Sequence, residues 1–157
     1  MEVDESGTYI GSSYCYATPR DWARFGTLYL NDGIWNGTRL LPEDWVDFTR
    51  SVVPESQGVY GAHFWTNENG SMLANAPHDL YSCNGYEGQM VAIIPSKELV
   101  IVRMGLNSNF DFDKLIKGLV FCLIVDIINY ELSKYRLVYC YCVSSIESYK
   151  LAPKLTE

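Results

Sequence analysis

Three apolar, strand-like runs follow one another in the second half of this chain: "LYSCNG" (80–85), "QMVAIIP" (89–95) and "ELVIVRMG" (98–105). The links between them are short. Pro95-Ser96-Lys97-Glu98 reads as a tight hairpin, and parallel neighbours would need a much longer crossover. Strands joined this way form an antiparallel sheet, and runs this apolar need helices packed on them. The expected class is therefore α+β, with antiparallel sheet strands covered by helices.

The covering helices are legible on either side. In "ATPRDWARFGTLYLNDG", Thr18 is a good N-cap, Pro19 suits the first turn and Asp21 complements the helix dipole. Trp22, Phe25, Leu28 and Tyr29, with Leu30, fall at helical spacing, and Asn31-Asp32-Gly33 is a stop signal. "IWNGTRLL" carries the two-residue hairpin signal Asn36-Gly37. "PEDWVDFTR" predicts a second short helix with Trp45, Val46 and Phe48 together. "GVYGAHFWTN" reads as strand-like, and "NFDFDKLIKGLVFCLIVDII" as helical from about Asp111. No internal repeat occurs.

Size and charge narrow the function classes. With 157 residues, 48% of them hydrophobic and 20% charged, the chain is expected to be one globular domain with a real core. The net charge of −7 leaves no basic stripe for phosphates, so no nucleic-acid partner is expected. "MEVDESGTYIG" has no apolar signal region, and the longest apolar run, "GLVFCLIVDII", is too short for a membrane span. The expectation is a soluble protein without a membrane partner. Five cysteines and two histidines are scattered without zinc spacing, so neither metal nor cofactor is expected, and an odd cysteine count favours a reducing compartment. Asn36-Gly37-Thr38 and Asn69-Gly70-Ser71 read as turns rather than glycosylation sites.

Common catalytic signatures are absent: no G-x-S-x-G, phosphate-binding loop, H-E-x-x-H or Ser-x-x-Lys occurs. His63 lies in an apolar run, where a core or sheet-face histidine is expected. His78 lies in a Pro-containing loop, where a solvated one is. The polar knot "NGYEGQ" between the first two strands is the remaining candidate. Gly88 would allow close approach to the backbone, the Gln89 N–H could donate to an oxyanion, and Glu87 could act as a base. By local sequence alone the knot is a glycine-containing bulge with Tyr86 packing on a neighbour.

Taken in order, "GTYIGSSYCYATPRDWARFGTLYLNDGIWNGTRLLPEDWV", "YGAHFWTN" and "NGYEGQMVAIIPSKELVIVRMG" resemble the β-lactamase-related serine hydrolases. That group includes class C-type β-lactamases, penicillin-binding-protein-like esterases and 6-aminohexanoate-dimer hydrolases, the last branch being closest. The resemblance implies that residues 1–120 are the C-terminal part of a β-lactamase/transpeptidase-like fold. Residues 121–157 would then be the end of the terminal helix plus an atypical extension. It also implies acyl transfer on a small amide, ester, peptide or β-lactam substrate. Tyr86-Glu87-Gly88 matches the family's third motif, with a neutral phenol where Lys or His is usual. That slot makes Tyr86 and Gly88 catalytic candidates and Tyr86 and Glu87 substrate-binding ones, with the backbone N–H of Gln89 as one arm of the oxyanion hole. The family's Ser-x-x-Lys and functional Tyr-x-Asn would lie upstream of the matched region. Tyr29-Leu30-Asn31 fits the latter pattern but belongs to the end of a helix. The expected consequences are an inactive chain on its own, self-association through exposed sheet edges, and, as the alternative function, a non-catalytic ligand- or partner-binding remnant.

Overall fold

The computed structural model describes residues 2–11, 14–129 and 138–142. Helix α1 (Pro19–Leu30) begins with a capping box. The Asp21 N–H donates to the Thr18 hydroxyl (3.2 Å), and the Asp21 carboxylate accepts from the Thr18 N–H (3.3 Å). The helix ends at Asn31. A small hairpin follows, β1 (Ile34–Trp35) against β2 (Thr38–Arg39), with Trp35 facing Thr38. Its two-residue loop, Asn36-Gly37, takes positive φ at both positions (47° and 77°), as that dipeptide favours. Helix α2 (Trp45–Arg50) is the second short helix expected.

The main sheet contains β3 (Trp65–Thr66), β4 (Tyr81–Gly85), β5 (Gln89–Ile94), β6 (Leu99–Met104) and β7 (Val138–Cys142), in that spatial order. The first four are antiparallel neighbours, as the short links β4–β5 and β5–β6 require; β3 reaches β4 through the longer loop 67–80. β7 pairs with β6 in parallel, because helix α3 (Phe112–Asn129) intervenes and returns the chain in the same direction. Within the terminal piece, residues 121–129 continue α3 and 138–142 form β7. The remainder of 121–157 lies outside the described residues.

Alternation along β5 and β6 sends one set of side chains to each face. Val91, Ile93, Val100 and Val102 pack with Ala23 of α1, Val46 of α2, Phe64 and Tyr81. Met90, Ala92, Ile94, Leu99 and Ile101 pack with Ile116 and Leu119 of α3. The sheet is thus buried on both faces between helices, and Ile93, Ile94, Leu99, Val100 and Val102 are fully enclosed. Each such side chain contributes about 1.5–3 kcal/mol relative to exposure.

Two local expectations change. The large apolar residues of α1 flank the contact with the sheet rather than making its centre: Ala23 and Gly26 are the buried positions, and Trp22, Phe25, Tyr29 and Leu30 are partly buried around them. The strand-like run 58–67 supplies only β3. It folds back on itself, with the Gly61 N–H donating to the Phe64 carbonyl (2.7 Å) and Tyr60 bridging to Trp65. Gly61 permits this, since a Cβ there would lie 2.9–3.0 Å from the backbone of Arg50 at the end of α2. His63 is consequently exposed, stacked beside Trp45 and Phe48 rather than on a sheet face, while His78 is exposed as expected.

The first turn of α3 is tied to the loop before β4. Asp113 accepts from the Asn75 N–H (2.8 Å) and from its side-chain amide. These Asn75 contacts hold the Asp113 carboxyl below its ordinary value of 3.8, and Thr18 and Arg24 do the same for Asp21. A depressed carboxylate contributes stability above its unfolded pKa and loses it as pH falls through the folded one. Thermal unfolding followed downward from about pH 5 is therefore expected to show a falling Tm. In Asn75→Ala the fall should be shallower. Superimposable pH profiles for the two proteins would remove this pair from the acid response.

Candidate functional site

The knot closes the β4–β5 hairpin. Gly85 faces Gln89 across the ladder, so Tyr86, Glu87 and Gly88 form the loop. Glu87 (φ 56°, ψ 35°) and Gly88 (φ 75°) are both left-handed, and the Gln89 N–H donates to the Tyr86 carbonyl. Consecutive left-handed residues closed by that bond are the geometry of a type I′ turn, whose twist matches the flanking strands. Glycine adopts it freely. Glu87 does not, and holding a side-chain-bearing residue there costs about 1–3 kcal/mol.

Neighbouring groups hold the turn in place. The Asn107 N–H donates to the Glu87 carbonyl (2.9 Å). The Arg103 guanidinium donates to the Gly88 carbonyl. Gly88 must be glycine for space as well as for φ, since a Cβ would lie 2.5 Å from the Asn107 carbonyl oxygen and 3.0 Å from the Arg103 guanidinium. Arg103 is 1% exposed. Its guanidinium carbon lies 4.0 Å from the centre of the Phe110 ring and 5.6 Å from that of Phe112. Desolvated cation–π contacts of this kind are worth about 2 kcal/mol and make a buried cation tolerable.

The predicted site residues therefore meet in one turn, in unequal surroundings. Tyr86 is 79% exposed and its ring stands in solvent rather than on a neighbour. Glu87 and Gln89 are half-buried. The Gln89 N–H is already engaged by Tyr86, so an incoming oxyanion would have to displace a carbonyl from it. Among the described residues neither histidine ring is hydrogen-bonded, and no group of three or more His, Cys, Asp or Glu is placed to hold a metal ion. Burial pushes the Cys83 thiol up to about 11, so it is not a thiolate at neutral pH and not a ready nucleophile.

A cleft of about 470 Å3 opens at the other end of β4, where Tyr81 and Pro95 meet α1 and α2. Its walls carry two ion pairs, Arg39–Asp32 (2.9 Å) and Arg50–Asp47 (2.5 Å). Burial raises the Tyr81 phenol well above its usual range, against the opposing pull of Arg50, and its hydroxyl donates to the Tyr29 carbonyl (3.3 Å). That phenol is a structural donor, and the cleft includes none of Tyr86–Gln89.

Arg103 and Asn107 were not legible as part of the site. The available signal was Arg103 itself: a charge at a core-facing position of "ELVIVRMG", in register with Leu99 and Ile101, followed by Phe110-x-Phe112. No protein-family model and no curated protein matches this chain. Among the described residues no helix is long and apolar enough to cross a membrane.

Proposed function

We propose that this chain forms one wall of the acyl-transfer site of a β-lactamase-like serine hydrolase, with the turn Tyr86–Gln89 as its third motif. The observation that carries the reading is the pinned Gly88–Gln89 peptide. It is a backbone N–H on a central hairpin, held from two sides, at the point where the resemblance puts an oxyanion donor. Helices on both faces of the antiparallel strands accord with it.

In the reaction so read, a serine hydroxyl from outside these 157 residues loses its proton to a base and attacks the acyl carbonyl. The new C–O bond pushes the carbonyl electrons onto oxygen. The Gln89 N–H moves from the Tyr86 carbonyl to that oxyanion, because charge-assisted hydrogen bonds are roughly twice as strong as neutral ones. Collapse breaks the bond to the leaving nitrogen or oxygen, which takes the proton from that base. Water deprotonated by the same base then attacks the acyl-serine, releasing the acid and restoring the serine hydroxyl. Tyr86, a neutral phenol at the rim, donates a hydrogen bond to a substrate oxygen, and Glu87 lines the same edge.

Without Ser-x-x-Lys the chain by itself acts only as a wall, and its occupied Gln89 N–H favours, for the isolated chain, the reading of a non-catalytic binding remnant. A fluorophosphonate probe is expected to leave the purified 157-residue protein unlabelled. A product extended upstream through Ser-x-x-Lys should label stoichiometrically. Stoichiometric labelling of the present chain, or in-frame stops immediately before Met1, would overturn the proposal.

A further inference from the structure

We infer that Arg103 is a positioning residue of this site, one that aims and strengthens the Gln89 N–H through the peptide both share. The inference rests on the oxyanion reading of that N–H. The Gly88 carbonyl and the Gln89 N–H belong to one planar trans peptide, so they point in opposite directions and turn together. The Arg103 guanidinium holds the carbonyl end. While it does so the peptide does not flip, and the N–H stays directed across the turn at the Tyr86 carbonyl.

The hold is built rather than incidental. The guanidinium is buried, lies over Phe110, and is bordered by Gly105, where a Cβ would come within 3.1–3.5 Å of its atoms. The Gly88 side of the turn admits no side chain either. A cation on a peptide carbonyl also polarises the amide, and hydrogen bonds in such chains strengthen one another at low dielectric. The same contact therefore makes Gln89 a better donor. Asn107 holds the preceding peptide at the Glu87 carbonyl, so the two left-handed residues are fixed at successive carbonyls.

The test is amide hydrogen exchange and amide chemical shift, read residue by residue by NMR on the isotopically labelled 157-residue chain. In Arg103→Met the Gln89 amide should exchange about tenfold faster or more, the factor set by losing one charge-assisted bond. Its proton should shift upfield, while Ala92 and Ile101 in the core keep their protection. Arg103→Lys, which retains the charge, should restore part of the shift. Phe110→Leu removes the ring beneath the guanidinium and leaves the charge, and should produce a smaller local change at Gln89. It decides the matter if Arg103→Met does not fold. An unchanged Gln89 amide in a folded Arg103→Met protein, or in Phe110→Leu when that is the deciding variant, would overturn the assignment. So would loss of protection spread evenly over the sheet. No substrate or nucleophile enters this measurement, so it fails or succeeds separately from the fluorophosphonate experiment.

Discussion

Asn67→Ala is expected to lower the unfolding free energy by about 3 kcal/mol. Asn67 is fully buried and organises the loop between β3 and β4. Its amide nitrogen donates to the carbonyls of Leu73 (3.0 Å), Ala76 (3.3 Å) and Pro77 (3.2 Å). Its carbonyl oxygen accepts from the N–H groups of Met72 (3.0 Å) and Leu73 (2.7 Å). Alanine leaves the Ala76 carbonyl and the Met72 and Leu73 N–H groups without partners, while the Leu73 and Pro77 carbonyls still accept from the Ala76 and Leu80 N–H groups. Each buried orphan costs about 1–3 kcal/mol unless water reaches it. Entry of water at the loop's outer side keeps the sum below three full penalties. Asn67→Asp keeps the acceptor, loses both donors and buries a charge, so it should be no better. Urea unfolding gives the magnitude, and amide exchange at Met72 and Leu73 locates it. A loss below about 1 kcal/mol with those amides still protected would mean the loop holds without its hub.

Gly26→Leu is expected to cost about 3 kcal/mol, and even Gly26→Ala should destabilise. Alanine in place of a mid-helix glycine gains about 1 kcal/mol in helix propensity. Here that gain opposes a steric term. A Cβ on Gly26 would lie 2.6 Å from one methyl of Val100 and 3.2 Å from a methyl of Val91. Both neighbours are β-branched residues on central strands, with little rotamer freedom to yield, and overpacking of this kind costs about 1–3 kcal/mol. Gly118 is the internal control. It is exposed in α3, nothing lies within 4 Å of its would-be Cβ, and Gly118→Ala should stabilise by up to about 1 kcal/mol. Thermal melts of the three variants check the signs. A stabilised Gly26→Ala would show that α1 and the Val100 side chain yield enough to admit a methyl group at this contact.

These two glycines mark how far the sequence could be read. α1 was legible to within a residue because its signals are local: Thr18 and Asp21 close a capping box within one turn, and Asn31-Asp32-Gly33 stops the helix. β4, β5 and β6 were legible because apolar runs with short links have one economical pairing. The type I′ hairpin at Asn36-Gly37 followed from two residues. The run 58–67 was misread as one strand because its reversal depends on Gly61 meeting the backbone of Arg50, a contact no local pattern encodes. β7 was missed for the same reason: its strand character comes from the edge of β6, not from a period of its own.

In the candidate site the division is the same. Its residue types and their order, Tyr86-Glu87-Gly88-Gln89 between two strands, are properties of the sequence alone, as are the helices and the antiparallel pairing that place them. Only the tertiary structure decided that the Gln89 N–H rests on the Tyr86 carbonyl, that Tyr86 stands in solvent, and that Arg103 and Asn107 grip the two left-handed peptides. Caps, turns and alternation act over a few residues and are written in neighbours. The direction of a single peptide is set by groups 15 to 20 positions away, and folding alone brings them to it.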